Sequence, residues 1–320
     1  MKDSIDFGTT KVSSLFSKLL MPTLLGMVSS ALFVITDGIF VGRGLGSDAL
    51  AAVNIVAPLF LINTGIGLMF GVGASVVASI HLSHGKPKTA RINVTQAVIA
   101  LSMLVAAFSA LIVWRAPGVA CLLGSSERLL VPAVEYIYGA VPFFVFSAML
   151  SAGMFYIRLD ASPRYAMMCN VVPALLNIVL DYLFIFVFHW GVIGAAVATS
   201  LGYIAGAGMV LWYMLMMGRT IKLCRVKTHL RSLRMTRRNV GYMCRLGFPS
   251  LLCEAAIATM MFAGNYVFIA YLGEDGVAAY SIACYVFPII FMVYNAIAQS
   301  AQPILSYNYG ARLTRRVSSA

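Results

Sequence analysis

Eight stretches of this 320-residue chain are each long and apolar enough to cross a lipid bilayer. They run over approximately 15–42, 50–82, 93–114, 129–156, 165–189, 192–217, 246–272 and 277–307. A spanning helix needs about 20 mostly apolar residues. Within hydrocarbon the backbone must satisfy its own polar groups, which commits such stretches to the α-helix. Hydrophobic residues make up 61% of the chain and charged residues 11%, whereas a soluble domain carries about 25% charged residues. A soluble fold of this size cannot hide so much apolar surface. The expected class is therefore an all-α polytopic membrane protein. The first ten residues are mostly polar and the first apolar stretch is long enough to remain in the membrane, so no cleavable leader is expected.

The net charge of +12 raises the question of nucleic acid. Its distribution rejects that partner, because the basic residues fall in the short connections between apolar stretches. Twenty of the Lys and Arg residues lie on the side that carries the N-terminus, and three, Arg43, Arg115 and Arg128, lie on the other. The positive-inside rule then places the N-terminus and the tail in the cytoplasm, with an even number of spans, in the plasma (inner) membrane. The longest polar stretch, 218–245, is strongly basic and reads as a cytoplasmic linker. Two settings are open to it, the anionic lipid surface and free solution. The six cysteines are scattered without a C-x-x-C pair and read as small apolar residues. His81 and His84 have no third ligand nearby, so no metal site is expected.

The sequence repeats itself at an offset of 227 positions. Pro22 meets Pro249, Gly46 meets Gly273, Asp48 meets Asp275, and Ala51 and Ala52 meet Ala278 and Ala279. The two units have the same orientation, as in transporters built from two six-helix halves. The expected organisation is a six-helix lobe over 1–217, the basic linker over 218–245, two helices of a second lobe over 246–311 and a basic tail over 312–320. A complete second copy would bring the chain to roughly 450 residues, so about four helices are expected to be missing.

Local words in this frame resemble the multidrug and toxic compound extrusion (MATE) family. They are PTLLGMVSSALFVITDGIFVGRGLGSDALAAVNI at 22–55, LLNIVLDYLFIF at 175–186, GVIGAAVATSLGY at 191–203, GFPSLLCEAAIATMMF at 247–262 and QPILSYNYGA at 302–311. Each is weak alone, but their order and spacing are specific. The resemblance implies a V-shaped pair of lobes. It also implies antiport of cationic amphipathic drugs or toxic compounds against Na⁺ or H⁺, with no other cofactor and no obligate protein partner. The fourth apolar stretch lacks the Asn residues that some members carry, and Ser147 and Ser151 are the nearest polar substitutes.

Three acids lie well inside apolar stretches: Asp37, Asp181 and Glu254. Such residues are costly in lipid and usually functional. Pro173, Asn177 and Asp181 are four apart and share a helix face. Thr199 adds a hydroxyl midway along the sixth stretch. With Asp37, these resemble the family's cation site: Asp37, Asn177, Asp181 and Thr199. Oxygen ligands suit a hard monovalent ion, and paired carboxyls suit a shared proton; helix packing by Asn177 and Thr199 is the simpler alternative. The resemblance makes Pro22 a hinge that lets the first helix bend when Asp37 is neutralised, with a static kink as the alternative. Glu254 resembles a second-lobe cation or substrate residue, with Asn265, Asn295 and Gln299 as polar neighbours. Gly67-x-x-x-Gly71 and Gly202-x-x-x-Gly206 are close-packing signals.

Three other readings compete. A flippase for lipid-linked sugars on a similar fold calls for intramembrane Arg or Lys to hold phosphate, and none is expected deep within these apolar stretches. An intramembrane enzyme needs a nucleophile–base pair or a metal cluster such as H-E-x-x-H, and neither is present in the sequence. An inactive fragment of a transporter is the third.

Overall fold

The computed structural model describes residues 6–125, 127–224 and 230–319, without the side chains of 230–233, 265, 266, 268–270 and 272–291. The described residues form ten α-helices and no strand. α1 spans Val12–Leu45, α2 Ser47–Ser83 and α3 Pro87–Trp114. A short α4, Ala116–Leu122, leads into α5, Glu127–Ala140, and α6, Phe144–Leu159. α7 spans Pro163–Asp181, α8 Gly191–Trp212, α9 Leu230–Gly310 and α10 Thr314–Ser318. Among the described residues, seven spans are long and apolar enough to cross a membrane. The first six follow the expected stretches closely.

Three details differ from the linear reading. The fourth span is two helices, because a 3-10 turn at Val141–Phe143 interrupts it. Pro142 lies in that turn, and proline cannot supply the N–H that a continuous α-helix needs. The fifth and sixth spans each end in π-helix, Tyr182–Val187 and Tyr213–Met217. α9 begins at Leu230, inside the basic stretch rather than after it.

α9 is helical over 81 residues, yet it cannot be straight. Met243 abuts Gly73 of α2, and Gln302 reaches Ser75, two positions further along the same helix. A straight helix would hold residues 243 and 302 about 88 Å apart. The chain therefore turns back between them. Leu251, Gly247 and Met243 meet Gly65, Met69 and Gly73 in turn, so the first arm runs antiparallel to α2. Gln302 meets Ser75 and Gly310 meets Ile80 and Ser83, so the second arm runs parallel to it. Two antiparallel arms are what two successive spans require.

α2 is the centre of the packing. It touches α3, α5, α6 and both arms of α9, and its Ala52, Val56, Phe70, Ala74 and Ala78 are buried. Small residues set the spacing. A Cβ on Gly67 would lie 2.9 Å from the Ala148 carbonyl oxygen, and one on Gly71 would lie 2.9 Å from Ala152 Cα. Gly206 is equally tight, 3.0 Å from Pro173 Cγ by the same measure. Both small-xxx-small words thus mark helix contacts.

The face that carries most of the arginines is tied together across the chain. Asp160 accepts from Tyr213 Oη (2.8 Å) and from the backbone N–H groups of Arg219, Thr220 and Ile221 (2.7–2.9 Å). Arg91 donates to the carbonyls of Thr220 and Arg219. Nearby, Asn308 Nδ2 and Arg316 Nη2 each donate to the Phe7 carbonyl at 3.1 Å, and Phe7 packs into a small core with Leu15, Leu19 and Ile304.

Candidate functional site

The residues singled out along the sequence converge at the contact of α1, α7 and α8. Four-residue spacing puts Asn177 and Asp181 on the α7 face that α8 covers. Gly202 on α8 admits this face, since a Cβ there would lie 3.4 Å from Asn177 Cβ. Gly26 does the same on α1, 3.2 Å from Asn170 Nδ2. Two helices lacking side chains at these points approach α7 closely enough for Asp37 and Thr199 to meet its polar face.

Asp37 and Asp181 lie close enough for each carboxyl to feel the charge of the other, and a proton on one could be shared with its neighbour. Asp181 is 0% exposed, Asn177 1% and Thr199 4%. Both carboxylate oxygens of Asp181, Oδ1 of Asp37, both amide atoms of Asn177 and Oγ1 of Thr199 are buried without a hydrogen-bond partner. An unsatisfied buried polar group costs about 1–3 kcal/mol. Six such atoms gather where α1, α7 and α8 meet, and a bound ion or a shared proton would satisfy them. Two facing carboxylates also repel, and a proton or a monovalent cation between them relieves that repulsion. Every atom here able to ligate a cation is oxygen, the Asn177 amide offering its Oδ1, which suits a hard ion. Among the described residues, no group of three or more His, Cys, Asp and Glu could hold a metal ion.

Beside the cluster is a cavity of about 250 Å³. Asn177 and Thr199 belong to its wall, together with Ser147, Asn170, Tyr203 and Met292. The last of these comes from the second arm of α9. Two tyrosines that the sequence did not single out stand near the acids: Tyr136 on α5, within electrostatic range of both, and Tyr203 on α8, within range of Asp37. Tyr203 is one helical turn beyond Thr199, and that spacing was its only signal.

The remaining candidates lie elsewhere. Glu254 packs against α2 at Gly65, on the first arm of α9. Gln299, expected beside Glu254, instead accepts from Arg158 Nη1 at 2.8 Å. The side chain of Asn265 lies outside the described residues. Pro22 lies within a helix that runs unbroken from Val12 to Leu45. Arg158, counted as a connection charge in the sequence, is only 3% exposed.

A family model described as MatE matches residues 22–183 and 249–320. The multidrug export protein MepA of Staphylococcus aureus is 23% identical over 301 residues, covering 92% of this chain and 64% of that protein. A FAD transporter of Shewanella oneidensis is 23% identical over 328 residues, covering all of this chain and 70% of that one. The chain thus spans less than two thirds of the length of the multidrug-export relative. Among solved structures, an outward-facing multidrug resistance MATE transporter superposes with a TM-score of 0.84 at 23% identity, over 97% of this chain and 68% of that one. A MATE structure in the straight conformation also gives 0.84, and one in the bent conformation gives 0.79, each over 97% of this chain and 68% of the other.

Proposed function

Because this chain belongs to the MATE family of transporters, we propose that it serves ion-coupled export of small amphipathic compounds, with cationic drugs and toxic compounds as the substrate class. The coupling ion is Na⁺ or H⁺, and the Asp37–Asp181 pair is its site, completed by Asn177 and Thr199. Export is antiport: entry of the ion at the pair and loss of the compound from the adjoining cavity are linked through the wall they share. The arginine-rich face is cytoplasmic, in a cell membrane. Pro22 is the point at which α1 bends when Asp37 is neutralised, and Glu254, on the first arm of α9, is a cation or substrate contact of the second lobe.

The observation that carries this reading is the set of six buried, unpartnered polar atoms, with those of Asn177 and Thr199 on residues of the cavity wall and those of Asp37 and Asp181 beside it. The test is equilibrium binding of a fluorescent lipophilic cation to the purified chain across Na⁺ concentration and pH. Binding should weaken as the coupling ion is added. Asp37→Asn and Asp181→Asn should each bind the dye without that dependence. Unchanged dependence in both variants would remove the pair from the coupling role.

A further inference from the structure

From Arg219 to Cys253 the chain carries nine Lys and Arg residues and no Asp or Glu. The part of this stretch in α9 is fixed in rotation. Gln96 Nε2 donates to Thr236 Oγ1 at 2.8 Å. Asn239 Nδ2 donates to Asn93 Oδ1 at 3.4 Å and to Gln96 Oε1 at 3.3 Å. Met243 is fully buried against Gly73. These contacts hold one face of the helix on α3 and α2, so its arginines cannot roll inward.

The opposite face is exposed and changes character along its length. Arg234, Arg238, Tyr242, Arg245, Phe248 and Leu252 step by three and four residues and form one stripe, all of it exposed. Arg237 and Met235 flank it, and Met235 and Tyr242 are each 53% exposed. The stripe is basic up to Arg245 and apolar from Phe248 onward, within a span long enough to cross the membrane. In a bilayer a helix places such a change, here from Arg245 to Phe248, at the boundary between headgroups and hydrocarbon. Arg238 lies about 10 Å beyond Arg245 along the axis and Arg234 about 16 Å, so the outermost arginine sits near the limit of the roughly 8 Å screening length above the headgroups.

We propose that this stripe is a binding site for anionic phospholipid headgroups in the leaflet on the arginine-rich face. Arg237, Arg238 and Arg245 bind headgroup phosphate with Tyr242 in the interface, while Arg234 and Met235 stand above the headgroups, where Arg234 adds attraction at the screening length. The occupant is a lipid rather than a free anion because the stripe continues into the exposed apolar surface of the same membrane-length helix. The docking contacts to Asn93 and Gln96 pass the hold of the lipid on α9 to α3. The site is independent of the ion-coupling reading, because none of its residues belongs to the acid cluster or the cavity.

The test is fluorescence quenching by brominated lipids in vesicles holding the full chain with Tyr242→Trp, after subtraction of the signal from the native tryptophans. Brominated phosphatidylglycerol should quench the new tryptophan at about tenfold lower mole fraction than brominated phosphatidylcholine. Replacing the four arginines with Gln should bring the ratio close to one, and replacing them with Lys should preserve it. Should the fourfold Gln variant fail to fold, Arg237→Gln and Arg238→Gln singly should each reduce the preference by up to about fivefold. Equal quenching by the two lipids with all arginines in place overturns the proposal. So does a preference that survives the Gln substitutions, or one that millimolar inorganic phosphate abolishes at constant ionic strength.

Discussion

Arg158 on α6 donates from Nη1 to Oε1 of Gln299 on the second arm of α9 at 2.8 Å, with the ring of Phe155 beneath the guanidinium at 5.3 Å. Close by, Ser75 Oγ donates to Gln302 Oε1 at 3.2 Å. Ser75 and Gln302 are 227 positions apart, which is the offset of the internal repeat. The first six spans and the second arm are therefore joined by polar contacts where the two repeat units meet.

Gln299→Ala should leave a buried guanidinium without its acceptor, at a cost of about 1–3 kcal/mol. A thermal melt in detergent should show the midpoint lowered by several degrees. Gln299→Glu supplies an opposite charge at the same reach and should melt no lower than the original. An alanine variant that melts unchanged would show that the contact contributes nothing.

The spans were legible because lipid imposes a length and a composition on each one. The acid cluster was half legible. Asn177 and Asp181 announce a shared face by their four-residue spacing, but a linear pattern cannot show which helix covers that face. Asp37 and Thr199 joined the site through resemblance and not through spacing. Tyr136 and Tyr203 were lost among the many aromatic residues that any membrane helix carries. Arg158 was read as a loop charge because it ends its helix, and nothing local to it foretells the returning arm that buries it. The pairing of Gln299 with Arg158 rather than Glu254 has the same cause: the reversal within α9 sets its neighbours, and the reversal is not written in the spacing of either residue.

Close helix approach gives a paired prediction. A Cβ on Gly71 would meet Ala152 Cα and Phe155 Cδ2, each at 2.9 Å, and the first of these is backbone, which cannot swing aside as a flexible side chain does. Gly71→Ala should destabilise by about 1–3 kcal/mol. Gly208 on α8 has no atom within 4 Å of its Cβ position. Gly208→Ala should be neutral or stabilising by up to about 1 kcal/mol, because alanine loses less backbone freedom in a helix. Equal melting of the two variants would remove the packing argument.

Orientation is read from the arginine-rich face. Reporter fusions after Arg128 should be active outside the cell, and fusions after Lys227 inside it. The reverse pattern would invert the chain in the membrane and move the lipid site to the outer leaflet.

The acid pair makes a prediction that needs no transport assay. An ion that binds the folded chain and not the unfolded chain raises its melting midpoint by mass action. If Na⁺ is the coupling ion, the midpoint should climb with Na⁺ at constant ionic strength, by the equivalent of about 2.7 kcal/mol when the ion stands a hundredfold above its dissociation constant. Potassium at the same concentration is the control for screening. Asp37→Asn removes one of two facing charges and with it the repulsion, so its midpoint without Na⁺ should equal or exceed that of the original chain. Its response to Na⁺ should vanish, and Asp181→Asn should behave alike because the two carboxyls act as one site. A proton-coupled chain would show no Na⁺ response in any variant, and the dye-binding dependence would then follow pH alone. A Na⁺ response that persists in both Asn variants would place the ion elsewhere in the chain, with Glu254 as the next residue to replace.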